Sequence, residues 1–231
     1  MTPELVGPFF EIGPKNLMRR SEVEALAAVA GRAAAEHEVT VVVTVPTAMI
    51  APIRDGDYGV LVFAQGMDRE TAGPSMNRVT AESLVDAGAH GVMLNHDADP
   101  LTDEVLTALV GRARHHGLRT IVCASTCDEA MRAADLRPTV VLLEPAELIG
   151  TAGSGPRDWV GGSTQAIRGR AEDVLAMHAG GVATPAVAEA LMAAGADGTG
   201  STSGVVHAPD PLAAAQAFIA ATRAGWDRAH P

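Results

Sequence analysis

An α/β chain closed into a (β/α)8 barrel, eight parallel strands ringed by helices, is what three features of this sequence predict. Short apolar runs alternate with Ala-rich stretches of helical periodicity along all 231 residues. The runs are almost continuously hydrophobic, as strands covered on both faces are. There are eight of them, and strict βα alternation demands parallel strands joined by crossover helices. The length suits one domain with a large core and lies near the lower limit for a closed barrel. An open, doubly wound sheet is the rival. Against it, no G-x-G-x-x-G follows the first strand and no P-loop occurs.

The strand candidates are 5–12 (LVGPFFEI), 39–45, 59–65, 91–95, 118–124, 139–144, 174–180 and the weak, Gly-rich 196–201. Helices are expected over 19–36, 79–87, 102–116, 127–134, 157–171, 184–194 and 210–224. Thr102 and Thr184 stand where a hydroxyl can cap a first turn, and Pro185 suits the first helical position. Gly88, Gly117 and Gly195 follow helices where a left-handed residue is wanted. The longest irregular stretch, 66–78, comes after strand three. In a barrel it belongs to the C-terminal face, as a lid or a subunit contact.

Composition narrows the function. Hydrophobic residues are 47% of the chain and aromatics 3%, so Ala, Val, Leu and Met are expected to fill the core. A net charge of −11 argues against nucleic acid, whose phosphates need a basic surface. It leaves open a small phosphorylated ligand held by backbone N–H groups. Cys123 and Cys127, the only cysteines, are too few for a zinc site and read as reduced thiols. No signal-like segment begins the sequence and no apolar run reaches the ~18 residues of a membrane span. A soluble cytoplasmic protein with no membrane partner is the expectation.

Barrel chemistry sits at the C-terminal strand ends. Those ends carry Lys15 after strand one, His96 after strand four and Glu144 closing strand six. Lys15 reads equally as a solvated loop lysine, and His96 as a loop hydrogen-bonding group. Glu144 is the least ordinary, because a carboxylate directly ends the apolar VVLL and is followed by Pro145. Gly-rich turns follow strands six, seven and eight at 144–154, 178–182 and 198–204. Glycines let the backbone approach an anion and present N–H donors, although helix caps and tight turns use Gly as well.

These residues make the chain resemble the triosephosphate isomerase family, particularly its short archaeal-type members. LLEPAELIGTAGS is similar to the E-P-x-x-x-I-G-T-G segment carrying the catalytic glutamate and lid, and is the most specific match. VMLNHD resembles the strand-four segment with the electrophilic histidine, and VFAQGMD the end of strand three. HAGGVATPAVAEALMAAGADGTGSTSG resembles the last two strands with their phosphate-gripping turns. Cys123 stands where the family often has a cysteine. The resemblance implies a TIM barrel and interconversion of dihydroxyacetone phosphate and glyceraldehyde 3-phosphate through an enediolate, without cofactor or metal. It implies Glu144 as base, His96 as electrophile and Lys15 as charge stabiliser. A lid over 145–153 would bring Gly150 to the phosphate. Gly180, Gly181, Thr202 and Ser203 would complete the grip. A homodimer or homotetramer is implied as well.

Three departures surround the lysine. Gly13 stands where the family usually has Asn, Ala98 where an acid is expected, and Met76-Asn77 near the Thr-Gly that a neighbouring subunit's loop three inserts. They suggest other partners for Lys15, Asp97 or Asp99 among them. They also suggest an altered fit, for instance to a four-carbon sugar phosphate. A barrel that binds a phosphorylated metabolite without turnover is the second reading, but a mere binder has no need of a general base.

Overall fold

The computed structural model describes residues 4–148 and 158–231. Eight parallel strands close in sequence order: β1 (Phe9–Ile12), β2 (Thr40–Val45), β3 (Leu61–Ala64), β4 (Gly91–Leu94), β5 (Arg119–Ala124), β6 (Val140–Leu143), β7 (Leu175–His178) and β8 (Gly198–Gly200). β1 pairs with both β2 and β8, which shuts the sheet. The barrel leaves none of these strands as an edge, and the doubly wound rival is set aside.

Strand pairing fixes which side chains face the axis, because residues paired in register point the same way and alternate along each strand. Phe9 pairs with Gly198, Glu11 with Gly200 and Val42, and Thr44 with Phe63. Cys123 pairs with Leu142, and Leu142 with Met177. Inside the barrel a Cβ on Gly198 would collide with the Phe9 ring, and one on Gly91 would stand 2.5 Å from Phe63. Small residues on β8 and β4 thus make room for two rings. The other parity faces the helices, where Phe10 stacks on Phe218 at 5.6 Å. Aliphatics do dominate the core, yet all four Phe of the chain are inside it.

The helices are α1 (Arg20–His37), α2 (Ile50–Asp55), α3 (Ala81–Asp86), α4 (Asp103–His115), α5 (Cys127–Asp135), α6 (Trp159–Arg170), α7 (Pro185–Ala193), α8 (Ser203–Val206) and α9 (Pro211–Ala229). Two were not expected. α2, entered through a 3₁₀ turn at Thr47–Met49, has Pro46 before it and Pro52 within it. Pro52 falls in the first turn, where no N–H bond is lost. α8 is a single turn inside the Gly-rich stretch after β8.

Thr102 caps α4 by accepting from the Val105 N–H, and Thr80 and Thr126 do the same for α3 and α5. Thr184 makes no such bond, and α7 starts on Pro185 alone. Gly88, Gly117 and Gly195 all have positive φ, at 82°, 72° and 99°. The stretch 66–78 holds no helix or strand. Its base is tied where the Val79 N–H donates to Asp68 Oδ2 at 2.7 Å, and Met76 is 85% exposed.

Candidate active site

The strand ends that carry the expected side chains open on one mouth. Lys15 stands three residues past β1 in a turn closed by the Leu17 N–H donating to Pro14 O. Its φ is +50°, a conformation that costs a non-glycine residue roughly 1–3 kcal/mol and clusters at functional sites. The side chain is exposed. Among the described residues it makes no ion pair within 4.0 Å, with Asp97 and Asp99 included. Its charge nonetheless reaches three groups: it favours the ionised forms of Glu11 and Glu144 and disfavours a protonated His96.

His96 is held by the loop after β4. Asn95, also left-handed at φ +59°, donates from Nδ2 to Cys123 O and accepts from the Leu101 N–H, both at 2.9 Å. The Ala98 N–H donates to His96 Nδ1 at 3.0 Å, which assigns the proton of the neutral ring to Nε2. Burial and then Lys15 lower its pKa, against opposing pulls from Asp97 and Asp99. A neutral imidazole with an Nε2 donor follows.

Glu144 leaves β6 with its N–H donating to Ala124 O at 2.9 Å. Burial raises its carboxyl, Lys15 opposes, and Asp97 adds a smaller push upward. Gly180, at φ +99°, lies against it: a Cβ there would stand 3.6 Å from Glu144 Cγ and 3.0 Å from Leu148 Cβ. Conformation and close approach together call for glycine. Gly181 follows with φ +62°.

The turns after β7 and β8 are bound to each other. Ser201 Oγ donates to Val182 O at 2.6 Å and accepts from the Gly204 N–H. Thr202 Oγ1 donates to Gly13 O at 2.9 Å, joining this corner to the end of β1. Ser203 opens α8 and is exposed. Of the lid, Pro145–Leu148 is described, with a 3₁₀ turn at Ala146–Leu148 and an exposed Glu147. Gly150 and the remainder through 153 lie outside the described residues.

One mouth group was not expected. Glu11 faces the axis from the next-to-last position of the first apolar run and is 6% exposed. Its one signal in the sequence was a lone charge within an otherwise apolar run. Cys123, also inward, is buried, and burial together with Glu144 and Glu11 pushes its thiol far up. It serves as packing, not as a nucleophile.

A closed (β/α)8 barrel that gathers a lysine, an imidazole and carboxylates at its carboxyl end belongs to the class of barrels built to act on a small molecule at that mouth. Comparison makes the assignment particular. The family model described as triosephosphate isomerase matches residues 15–218. The triosephosphate isomerase of Cenarchaeum symbiosum is 30% identical over 212 residues, covering 90% of this chain and 94% of its own. That of Sulfolobus acidocaldarius is 30% identical over 186 residues, covering 80% of each. The crystal structure of triosephosphate isomerase from Bartonella henselae superposes with a TM-score of 0.71, covering 92% of this chain and 99% of that one. At 19% identity it speaks for the fold. The chain belongs to the triosephosphate isomerase family.

Proposed function

We propose that the protein interconverts dihydroxyacetone phosphate and glyceraldehyde 3-phosphate, with Glu144, His96 and Lys15 carrying the chemistry. Ionised Glu144 takes a proton from the carbon beside the carbonyl, leaving an enediolate, and returns it to the neighbouring carbon. His96 Nε2–H donates to the carbonyl oxygen as it gains charge and passes a proton between the two oxygens. Lys15 lowers the energy of that negative charge. Backbone N–H groups of Gly180, Gly181, Thr202 and Ser203 face the phosphate, and Gly150 joins them from the lid. The observation that carries this reading is the shared electrostatic neighbourhood of Lys15, His96 and Glu144 at one barrel mouth. Nothing in these steps calls for a cofactor.

The finer expectations belong to the same reading: a homodimer or homotetramer acting in the cytoplasm. No helix among the described residues is long and apolar enough to cross a membrane.

A coupled assay of both trioses, with Glu144→Gln beside the wild type, tests the function. A kcat/KM of about 10⁴–10⁸ M⁻¹s⁻¹ that drops by roughly 10²–10⁴ in the variant is expected. Because the base is raised, kcat/KM should fall on the acid side as Glu144 takes up its proton. Phosphate-ligand binding with neither turnover nor solvent-proton exchange at the substrate carbon would reject catalysis and favour a binding barrel. Turnover confined to four-carbon sugar phosphates would keep the chemistry and change the substrate.

A further inference from the structure

Glu11 breaks the apolar rule of β1 at a place where a carboxyl has a use. Its side chain reaches one residue pair toward the mouth. Oε1 lies 3.1 Å from where a Cβ on Gly13 would stand, and Oε2 lies 3.0 Å from the corresponding point on Gly200. The carboxyl therefore occupies the space that a side chain at position 13 would need. Thr202 Oγ1 is 3.5 Å from the same Gly13 point. Thr44, one pair further along β2, brings its hydroxyl beside the carboxyl.

Glu11 Oε1 is buried with no hydrogen-bond partner among the described residues, and the buried Thr44 Oγ1, near enough to the carboxyl to favour its ionised form, meets no acceptor or donor in good hydrogen-bonding geometry. Gln65 Nε2, just past β3, is in the same position. Each such group costs about 1–3 kcal/mol when left unpaired. A fold selected for stability alone would satisfy or remove them. Three on consecutive strands, all at the carboxyl end, indicate a surface shaped for polar contact with something that enters the mouth.

We propose that the Glu11 carboxyl, with the Thr44 hydroxyl beside it, is a substrate-binding subsite that takes a neutral oxygen, hydroxyl or carbonyl, of the sugar phosphate at the end of β1. The proposal rests on the sugar-phosphate reading above and names a contact that reading lacks. A neutral oxygen fits because a protonated carboxyl and a hydroxyl each donate and accept, whereas a phosphate would gain only one donor from each and meet Glu144 close by. Burial pushes Glu11 up to about 7, lowered by Thr44, raised by Glu144 and lowered by Lys15. The other titratable groups around it are Cys123 on β5 and, across the mouth, His96. Below about pH 7 Glu11 can donate to the substrate oxygen. Above it, the carboxylate accepts only, and repels an anionic ligand.

Glycerol 3-phosphate, which carries the hydroxyls and the phosphate but has no carbonyl to isomerise, is the probe. Its affinity for the wild type, Glu11→Gln, Glu11→Leu and Thr44→Val is measured by calorimetry at pH 6.5 and 8.5, with thermal unfolding of each variant. Wild-type binding should weaken between the two pH values at least fivefold more than that of Glu11→Gln. Glu11→Leu should bind about tenfold more weakly than wild type at pH 6.5. Thr44→Val, which removes a group that favours the ionised carboxyl, should shift the wild-type weakening to higher pH. Equal pH dependence in wild type and Glu11→Gln, or full affinity in a folded Glu11→Leu, overturns the subsite.

Should the Glu11 variants fail to fold, proton uptake by the wild type on binding near pH 7.5, read in two buffers of different ionisation enthalpy and reduced in Thr44→Val, decides. Its absence overturns the proposal, and so does a wild type that does not bind the probe. Binding with this signature but without triose turnover leaves the subsite standing and rejects the isomerase.

Discussion

A carboxyl held at the centre of a barrel is worth less to the fold than to a ligand. Glu11 is neutral in both folded and unfolded chains at low pH, and the difference appears as pH rises. The unfolded carboxyl ionises near its ordinary value of 4.5, while the buried one holds its proton to about 7. Stability contributed by this residue is therefore complete below pH 4.5 and lost as pH climbs through 7. Replacing Glu11 by Gln should raise the thermal midpoint at pH 8.5 and leave it nearly unchanged at pH 4.5. A lower midpoint at pH 8.5 would mean that the carboxylate makes a stabilising contact. The places of Lys15, His96 and Glu144 at the mouth were legible because each follows an apolar run at its carboxyl end. Glu11 was not, because it lies inside such a run, and only strand register shows that it faces the axis.

At the scale of the element, α9 packs closely on α7 at a glycine. A Cβ on Gly225 of α9 would collide with the backbone carbonyl of Glu189 in α7 and lie 2.7 Å from Met192 Cβ. Alanine at an exposed helix position gains about 1 kcal/mol over glycine. Here the obstacle is a backbone oxygen that cannot turn aside, and overpacking costs typically 1–3 kcal/mol. Gly225→Ala should lower the urea midpoint, and a raised midpoint would show that the helices can part. Helix periodicity in the sequence located seven of the helices to within a few residues. It missed α2 because Pro46, Pro52 and Gly56 crowd a six-residue element, too short to show a period.

At the scale of the molecule, protons bind differently to the folded and unfolded chains. His90 at the amino end of β4 and His178 on β7 are both buried. His90 Nδ1 accepts from the Val62 N–H at 2.9 Å. His178 Nε2 lies 2.8 Å from Thr164 Oγ1, with the Trp159 ring edge-on. Burial lowers His90 to about 4, helped by Arg54 and Arg119, and lowers His178 to about 3. Unfolded histidines take up protons near 6.5, so between pH 6.5 and about 4 the unfolded chain gains two that the fold refuses. Glu11 works the other way by one, while the lowered His96 and the raised Glu144 act in opposite directions and offset each other. The balance is about one proton, so unfolding free energy should fall by roughly 1 kcal/mol per pH unit from 6.5 to 5. Urea titrations across that range give the slope, and His178→Gln should flatten it. A reversed slope, with stability rising as pH falls, would mean that the two rings are protonated in the fold, leaving only the extra proton on Glu11. The barrel topology was legible because eight buried strands leave few arrangements. The closure was weakest at β8, where Gly198 and Gly200 give way to rings and carboxyl rather than adding apolar bulk.

Residues two apart on a strand share a face, and this has a consequence for lineage. With nothing on Gly13 and a long side chain on Glu11, a polar head still arrives at the rim of β1 from one rung below. In space the carboxyl fills the room that a side chain at position 13 would need, with no shift of the backbone. Pairs of opposite change at i and i+2 on barrel strands are where such displaced functional groups should be sought in distant relatives.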